Sequence, residues 1–195
     1  MYWCKLRLKT AVTLVSGFAL LTALPACKPE ISNNGAFDLR GLLTKDAAKL
    51  NKLNPAVIKT VTHNGVSETK TVHIPDWAQE LSLFIDADIN KPSWKSNYKV
   101  NDEDSLLVYH AKDPDQKVQE LIIKRNKQKV SWILIYTRTK NKLYYSAQRL
   151  TYFPDSLYRI DMSQRVRVIG TNNYNIQGII LRAKIQESGT KIKEK

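Results

Sequence analysis

From Ser105 onward the apolar residues recur with a period of two, and only short turn-like stretches interrupt them. Side chains of an extended chain point alternately to two faces, so this period marks strands rather than helices. The runs cover 105–112, 117–125, 130–139, 143–153, 157–169 and 174–184, separated by D-P-D-Q, N-K-Q-K, K-N-K, P-D-S and G-T-N-N. Breaks this short join antiparallel neighbours, because a parallel pair needs a crossover of about a dozen residues or more. The second half of the chain is therefore expected to be an antiparallel meander. The run V-S-W-I-L-I-Y from Val130 to Tyr136 is apolar on both pleat faces and belongs in its middle, beside Leu121, Ile122 and Ile123. Neighbouring strands twist by about 20–25°, so six long strands are expected to curl into an open half-barrel.

The first half carries a different period. Leu39, Leu42, Leu43, Ala47, Leu50 and Leu53 form one apolar stripe at helical spacing, and Asn54-Pro55 ends it because a residue before proline is pushed towards extended conformations. Segments 56–63 and 66–74 flank Asn64-Gly65, a pair suited to the positive φ angles of a type I′ hairpin turn. Asp76 and Gln79 then stand at capping-box spacing ahead of Trp77, Leu81, Phe84, Ile85 and Ile89, which share a helical face. The expected fold class is α+β: two N-terminal amphipathic helices with a hairpin between them, packed on a curved antiparallel meander of about six strands.

The N-terminus speaks to location. Lys5, Arg7 and Lys9 precede an uncharged stretch over 10–26 that is short for a bilayer span and is interrupted by Thr10, Thr13, Ser16, Gly17 and Thr22. It closes on Leu24-Pro25-Ala26-Cys27, and in this order of parts it resembles the lipobox signal peptide of bacterial lipoproteins. The resemblance implies that 1–26 is removed between Ala26 and Cys27 and that the Cys27 sulfur receives a diacylglycerol thioether. The alternative is an ordinary secretory signal cut near Ala26, leaving Cys27 a free thiol. With Cys4 discarded and Cys27 acylated, no thiol is left for a disulfide, a metal or a nucleophile. Two or three acyl chains hold a protein on its bilayer essentially permanently. Residues 27–36 read as the acylated cysteine and its tether, 37–186 as a single α+β domain and 187–195 as a polar tail. Lys28, where an aspartate would favour inner-membrane retention in enterobacterial lipoproteins, implies by the same resemblance an outer-membrane location facing the periplasm. The run from Asp76 to Trp94, with 152–160 and 172–180, is similar in pattern to small envelope lipoproteins without an assigned activity, and it brings no site residues with it.

The formal charge is +13, of which Lys5, Arg7 and Lys9 contribute three, so the body is basic as well. Such a field attracts anions, and in an envelope these are lipid headgroups, lipopolysaccharide or acidic polymers, with nucleic acid not expected. Meander turns alternate between the two ends of a sheet. Asp113 and Asp115 should therefore share one end with Lys140 and Lys142, while Lys124, Arg125, Lys127 and Lys129 share the other with Asp155. The candidate anionic contacts are Lys124, Arg125, Lys127 and Lys129 together with Arg165 and Arg167, which alternate with Val166 and Val168 and so should face solvent while the valines enter the core; Arg182 extends their stripe. A solvated turn accounts for the same cations without any ligand. Tyr144, Tyr145 and Tyr152 could stack on sugar rings, or serve only as good strand residues.

Catalytic signals are missing from the pattern. Asp86, Asp88 and Asn90 begin like a calcium loop, but Lys91 stands where glycine is needed and Asn97 where the bidentate glutamate is needed. His63, His73 and His110 lack the spacing of a helical metal site, and no phosphate-loop, hydrolase or dinucleotide motif accompanies them. No cofactor, metal or catalytic residue is expected. The expectation is a lipid-anchored, periplasm-facing, non-enzymatic binding or scaffold module whose partner is an anionic envelope component or another envelope protein. The rivals are a carrier or chaperone for acyl chains or lipoproteins with a half-barrel cup, and a cell-wall enzyme drawing on Asp86, Asp88, Asp102, Glu103 and Asp104.

Overall fold

A computed structural model describes residues 37–127 and 129–181. Ala26, Cys27, the tether at 27–36, Arg182 and the tail at 187–195 lie outside the described residues. Helix α1 (Leu39–Leu53) starts where an Asp38 carboxylate oxygen accepts the Gly41 N–H at 2.8 Å, and it stops at Asn54, whose φ of 42° turns the chain left-handed ahead of Pro55. Strands β1 (Ala56–His63) and β2 (Val66–His73) form the expected hairpin, with φ of 48° at Asn64 and 88° at Gly65. Two short helices follow, α2 (Trp77–Glu80) and α3 (Ser82–Ile85), and then a 3-10 turn at Pro92–Asn97. The rest is strand: β3 (Tyr98–Glu103), β4 (Leu106–Ala111), β5 (Val118–Asn126), β6 (Lys129–Lys140), β7 (Tyr144–Phe153), β8 (Leu157–Val166) and β9 (Gly170–Ile180).

The fold is α+β, and among the described residues the strands make one antiparallel sheet of nine in the order β2-β1-β9-β8-β7-β6-β5-β4-β3. Six of the nine fall on the runs with a period of two, but β8 ends at Val166 and β9 begins at Gly170, so the turn lies at 167–169 and G-T-N-N, expected as the break, is strand. The half-barrel of about six strands does not form: the sheet is open, not strongly curled, and its edges β2 and β3 lie at opposite ends of the order. Two pairings extend it. β1 joins β9 in register from Val57↔Ile180 to His63↔Tyr174, which recruits the hairpin into the meander. At the other edge the acidic segment Asp102–Glu103 continues a strand against Leu107 and Leu106. A helix with its side chains is about 10–12 Å across, so helices resting on one face also hold the sheet open.

The second helix differs from the continuous one expected. Asp76 caps it through the N–H groups of Ala78 and Gln79, but Leu81 leaves helical geometry (φ −92°, ψ 10°) and splits it in two. The break lets Trp77, Leu81 and Phe84, then Ala87 and Ile89, all become buried. Burial of that much apolar surface outweighs a few residues of helix continuity.

One face of the sheet holds the core. Leu39, Leu43, Ala47 and Leu50 of α1 and the buried residues of the short helices pack on Val57, Leu121, Ile123, Ile133, Ile135, Leu150, Tyr152, Tyr158 and Ile160. Leu53, at the end of the expected stripe, is exposed instead. Tyrosine hydroxyls tie the layers together. Tyr152 donates to Asp46 of α1 at 3.0 Å, Tyr158 donates to Glu80 of α2, and Tyr109 accepts the Phe37 N–H at 2.9 Å. Glu80 also receives Lys59 from β1. Trp77 and Phe84 lie against these same rings, Trp77 edge-on to Tyr158 at 6.1 Å and Phe84 tilted on Tyr152 at 6.0 Å. Burial and the neighbouring carboxylates push the Tyr152 and Tyr158 hydroxyls far above the usual phenol range, so both remain donors at any physiological pH.

Gly178 on β9 makes room for the Tyr158 ring, since a Cβ there would fall inside it. Gly178→Ala is expected to lower stability by about 1–3 kcal/mol, read as a lower urea midpoint at unchanged slope. Combining it with Tyr158→Ala should cost less than the sum of the two changes, because the smaller side chain removes the clash. Burial also raises the Asp46 carboxyl above its ordinary value, more than its hydrogen bond from Tyr152 lowers it. The folded protein therefore holds that proton more tightly than the unfolded chain, and Asp46 contributes less to stability as pH rises through its folded pKa. Asp46→Asn keeps an oxygen for Tyr152, so at neutral pH it should be at least as stable as the parent. That advantage should vanish by about pH 3 in thermal melts across the carboxylate range.

Candidate functional site

The helices cover one face of the sheet and leave the other open. Strand parity assigns side chains to that open face, and the register aligns them across strands: Tyr136↔Arg149↔Asp161↔Asn175 form one row and Arg138↔Ala147↔Ser163↔Asn173 the next. These rows line a shallow hollow of about 700 Å³. A second hollow of about 910 Å³, bordered by Pro114, Asp115, Lys140, Tyr145, Arg165 and Thr171, shares Arg138 and Ser163 with it. A third of about 480 Å³, bordered by Trp132, Leu134, Phe153 and Arg159, shares Arg149 and Asp161. The hollows adjoin at these shared residues and follow one another as a shallow trough along β6–β8, cationic towards Lys140 and Arg165 and aromatic towards Trp132 and Phe153.

The charges along the trough are unequal. Arg138, Lys140, Arg149, Arg159 and Arg165 face it, and the acids are Asp161 at its centre and Asp115 at its rim. Asp161 is engaged by Arg159 at 3.0 Å and by the Asn175 amide, with Arg149 at 3.8 Å. Arg138 donates to the Pro114 carbonyl at 2.7 Å and to Gln119 at 3.2 Å, which fixes its guanidinium along the β4–β5 turn. Arg165 makes one long contact, to Thr171 at 3.4 Å, and Lys140 stands in no ion pair among the described residues. The cations beside Tyr136 and Tyr145, with Ser163, Asn173 and Asn175 adjoining, can receive anionic groups, and the tyrosines and amides can stack on a flat ring and bond hydroxyls.

The cations singled out in the sequence separate into two groups. Arg165 belongs to the trough, and Arg167 sits exposed in the neighbouring β8–β9 turn, where its N–H donates to the Leu143 carbonyl at 3.0 Å. Val166 is half-buried, but Val168, expected in the core, is 91% exposed because the strand ends before it. Lys124, Arg125, Lys127 and Lys129 lie towards the opposite end of the sheet, as turn alternation requires. There Lys124 donates to Ser105 at 2.9 Å, the Arg125 guanidinium is bound by Asp102, and Lys127 and Lys129 are exposed at the turn, Lys127 with a φ of 46°. Asp155 shares that end, on the turn between β7 and β8, and pairs there with Lys49 of α1.

The remaining singled-out groups are scattered. His63 stacks on Tyr174, with ring centroids 4.4 Å apart; His73 meets the Asn54 carbonyl at 2.9 Å; and His110 pairs with Glu120 at 3.1 Å. Asp88 is buried, accepting the Asn90 N–H at 3.3 Å with Arg40 3.8 Å away, and Asp86 is exposed. Among the described residues no three histidine, cysteine or acidic side chains are placed to hold a metal ion, and no helix is long and apolar enough to cross a membrane.

Arg138, Arg149, Asp161, Asn173 and Asn175 drew no attention in the sequence. Their signal was there: short loops at 141–143 and 154–156 set the register of β6, β7 and β8, and parity puts Arg138 and Arg149 on the face that Ile133 and Leu150 leave. No known protein family, curated protein or solved structure matches this chain.

Because its ion pairs are partly solvated, Asp161 is expected to matter more for the potential of the trough than for stability. Asp161→Asn should change the unfolding free energy by less than about 1 kcal/mol, measured by urea titration.

Proposed function

We propose that this protein is a lipid-anchored, periplasm-facing envelope lipoprotein that acts as a non-enzymatic binding module, using the open face of its sheet to hold an anionic, sugar-bearing envelope component. The observation that carries this reading is the joined trough on β6–β8, where Arg138, Lys140, Arg149 and Arg165 stand beside Tyr136 and Tyr145. Guanidinium groups suit phosphate or carboxylate, and tyrosine faces suit sugar rings. The basic charge of the body adds long-range attraction to anionic polymers and headgroups. Cys27 supplies the anchor in this account, by its likeness to lipobox cysteines, and an outer-membrane location follows from Lys28 in the same way.

An acyl-chain carrier would require an open apolar cup. The helix-covered face is instead filled by Leu43, Ala47, Leu50, Trp77 and Phe84 against Leu150, Tyr152 and Tyr158, so no observation favours that rival.

The test uses the full-length protein in detergent, titrated with purified lipopolysaccharide and with a neutral polysaccharide. Binding to lipopolysaccharide is expected to weaken as salt is raised. The Arg138→Ala/Arg165→Ala double variant should bind at least about tenfold more weakly, the loss of charge-assisted hydrogen bonds. Equal binding of the neutral polymer, or an unaffected double variant, would overturn the reading. The anchor is tested separately by the intact mass of the mature protein, expected to include acyl chains that are lost in Cys27→Ala.

A further inference from the structure

We infer that the end of the sheet formed by the β6–β7 and β8–β9 turns is a second, non-covalent membrane contact that seats in an anionic leaflet. The proposal rests on the envelope reading above for its choice of a bilayer; it shares Lys140 and Arg165 with the trough, while its apolar tips Leu143, Val168 and Ile169 and the cations Lys142 and Arg167 lie outside it. Leu143 is 64% exposed, Val168 91% and Ile169 75%. They stand on adjoining tips, joined by the hydrogen bond from the Arg167 N–H to the Leu143 carbonyl at 3.0 Å. Isolated apolar residues on a surface are ordinary, but three large ones at the extremity of one sheet end form a patch.

The charges around the patch select its occupant. Lys140, Lys142, Arg165 and Arg167 flank the three apolar side chains, and none of the four stands in an ion pair among the described residues. The acids at this end, Asp113 and Asp115, lie on the β4–β5 turn beside the second hollow rather than on either tip. Apolar tips ringed by lysine and arginine suit the boundary of a bilayer, where the tips enter the acyl region while cations meet phosphates. Each cation near an anionic leaflet strengthens binding by roughly fivefold.

For both contacts to be made to one bilayer, the described body must begin near the end of the sheet that carries the tips. Phe37 hangs from the Tyr109 hydroxyl on β4, and β4 ends at Ala111 towards the same end of the sheet as these tips. The stretch from Lys28 to Ala36 spans at most about 30 Å when extended. The cationic portion of the trough, at Lys140 and Arg165, would then open beside the membrane surface.

The experiment places a reporter on the tip of the full-length protein. Ile169→Trp is reconstituted into phosphatidylglycerol vesicles containing brominated acyl chains, and its emission is taken by difference from the parent protein. The added indole should shift to the blue and be quenched, and both effects should be lost when Lys142→Glu and Arg167→Glu are added or when the vesicles are pure phosphatidylcholine. Circular dichroism and thermal melting of each variant check that the fold persists. An unshifted, unquenched signal in anionic vesicles overturns the proposal, as does a blue shift already present in detergent-free buffer, which would place the tip against protein. The intact mass reports acylation independently. A protein without acyl chains whose tip is quenched when vesicles are added would sink the anchor and leave the tip contact standing.

Discussion

Tyrosine side chains that are apolar along the ring and polar at the tip hold the two layers together. Tyr152 and Tyr158 lie in the core with Trp77 and Phe84, yet their hydroxyls reach Asp46 and Glu80 on the helices above. A leucine at either place would supply burial without direction. The hydroxyl fixes which turn of which helix lies over which strand, because an unpaired buried donor costs about 1–3 kcal/mol. The accommodation of Tyr158 extends to β9, where Gly178 leaves space for its ring.

That one-sided attachment explains why the opposite face is available. Core and helices lie on the face of Ile133, Ile135, Leu150 and Ile160, and among the described residues no second layer covers the opposite face. The open face can therefore carry arginine, asparagine and serine in cross-strand rows. Strand pairing places these side chains at fixed spacings on a rigid surface, which limits the ordering cost when a ligand arrives. Where the covered face runs beyond the helices it too turns polar, with Thr137 donating to Gln148 at 3.2 Å.

Particular elements show how far the pattern of residues could be read. Asn64-Gly65 and Asn54-Pro55 announce their turns because only a few residues accept those backbone angles, and both turns form where expected. The meander strands follow from alternation and short loops. β3 carries little apolar signal because Asp102 and Glu103 are acids; at a sheet edge, acids can face water while the backbone pairs with β4. The split between α2 and α3 was hidden for another reason: the same apolar spacing fits one helix or two, and the core beneath Leu81 chooses. For the trough, composition showed that the body was basic, but only register could show that Arg138, Arg149 and Arg165 share a face. Arg125 illustrates the converse, since it reads as a free cation in sequence and is bound by Asp102 of β3, from the far side of β4.

By itself the chain determined its local grammar: where the first helix and most strands lie, which turns form at Asn54-Pro55 and Asn64-Gly65, and that the sheet is antiparallel. Those features depend on residues near one another in sequence, through backbone preference and periodicity. The tertiary structure decided what depends on distant partners. It joined β1 to β9, kept a nine-stranded sheet open under its helices, exposed Val168, and gathered separate arginines along one trough. Each of these outcomes follows from packing and register between segments far apart in the chain, where many pairings satisfy the local pattern and the buried surface selects among them.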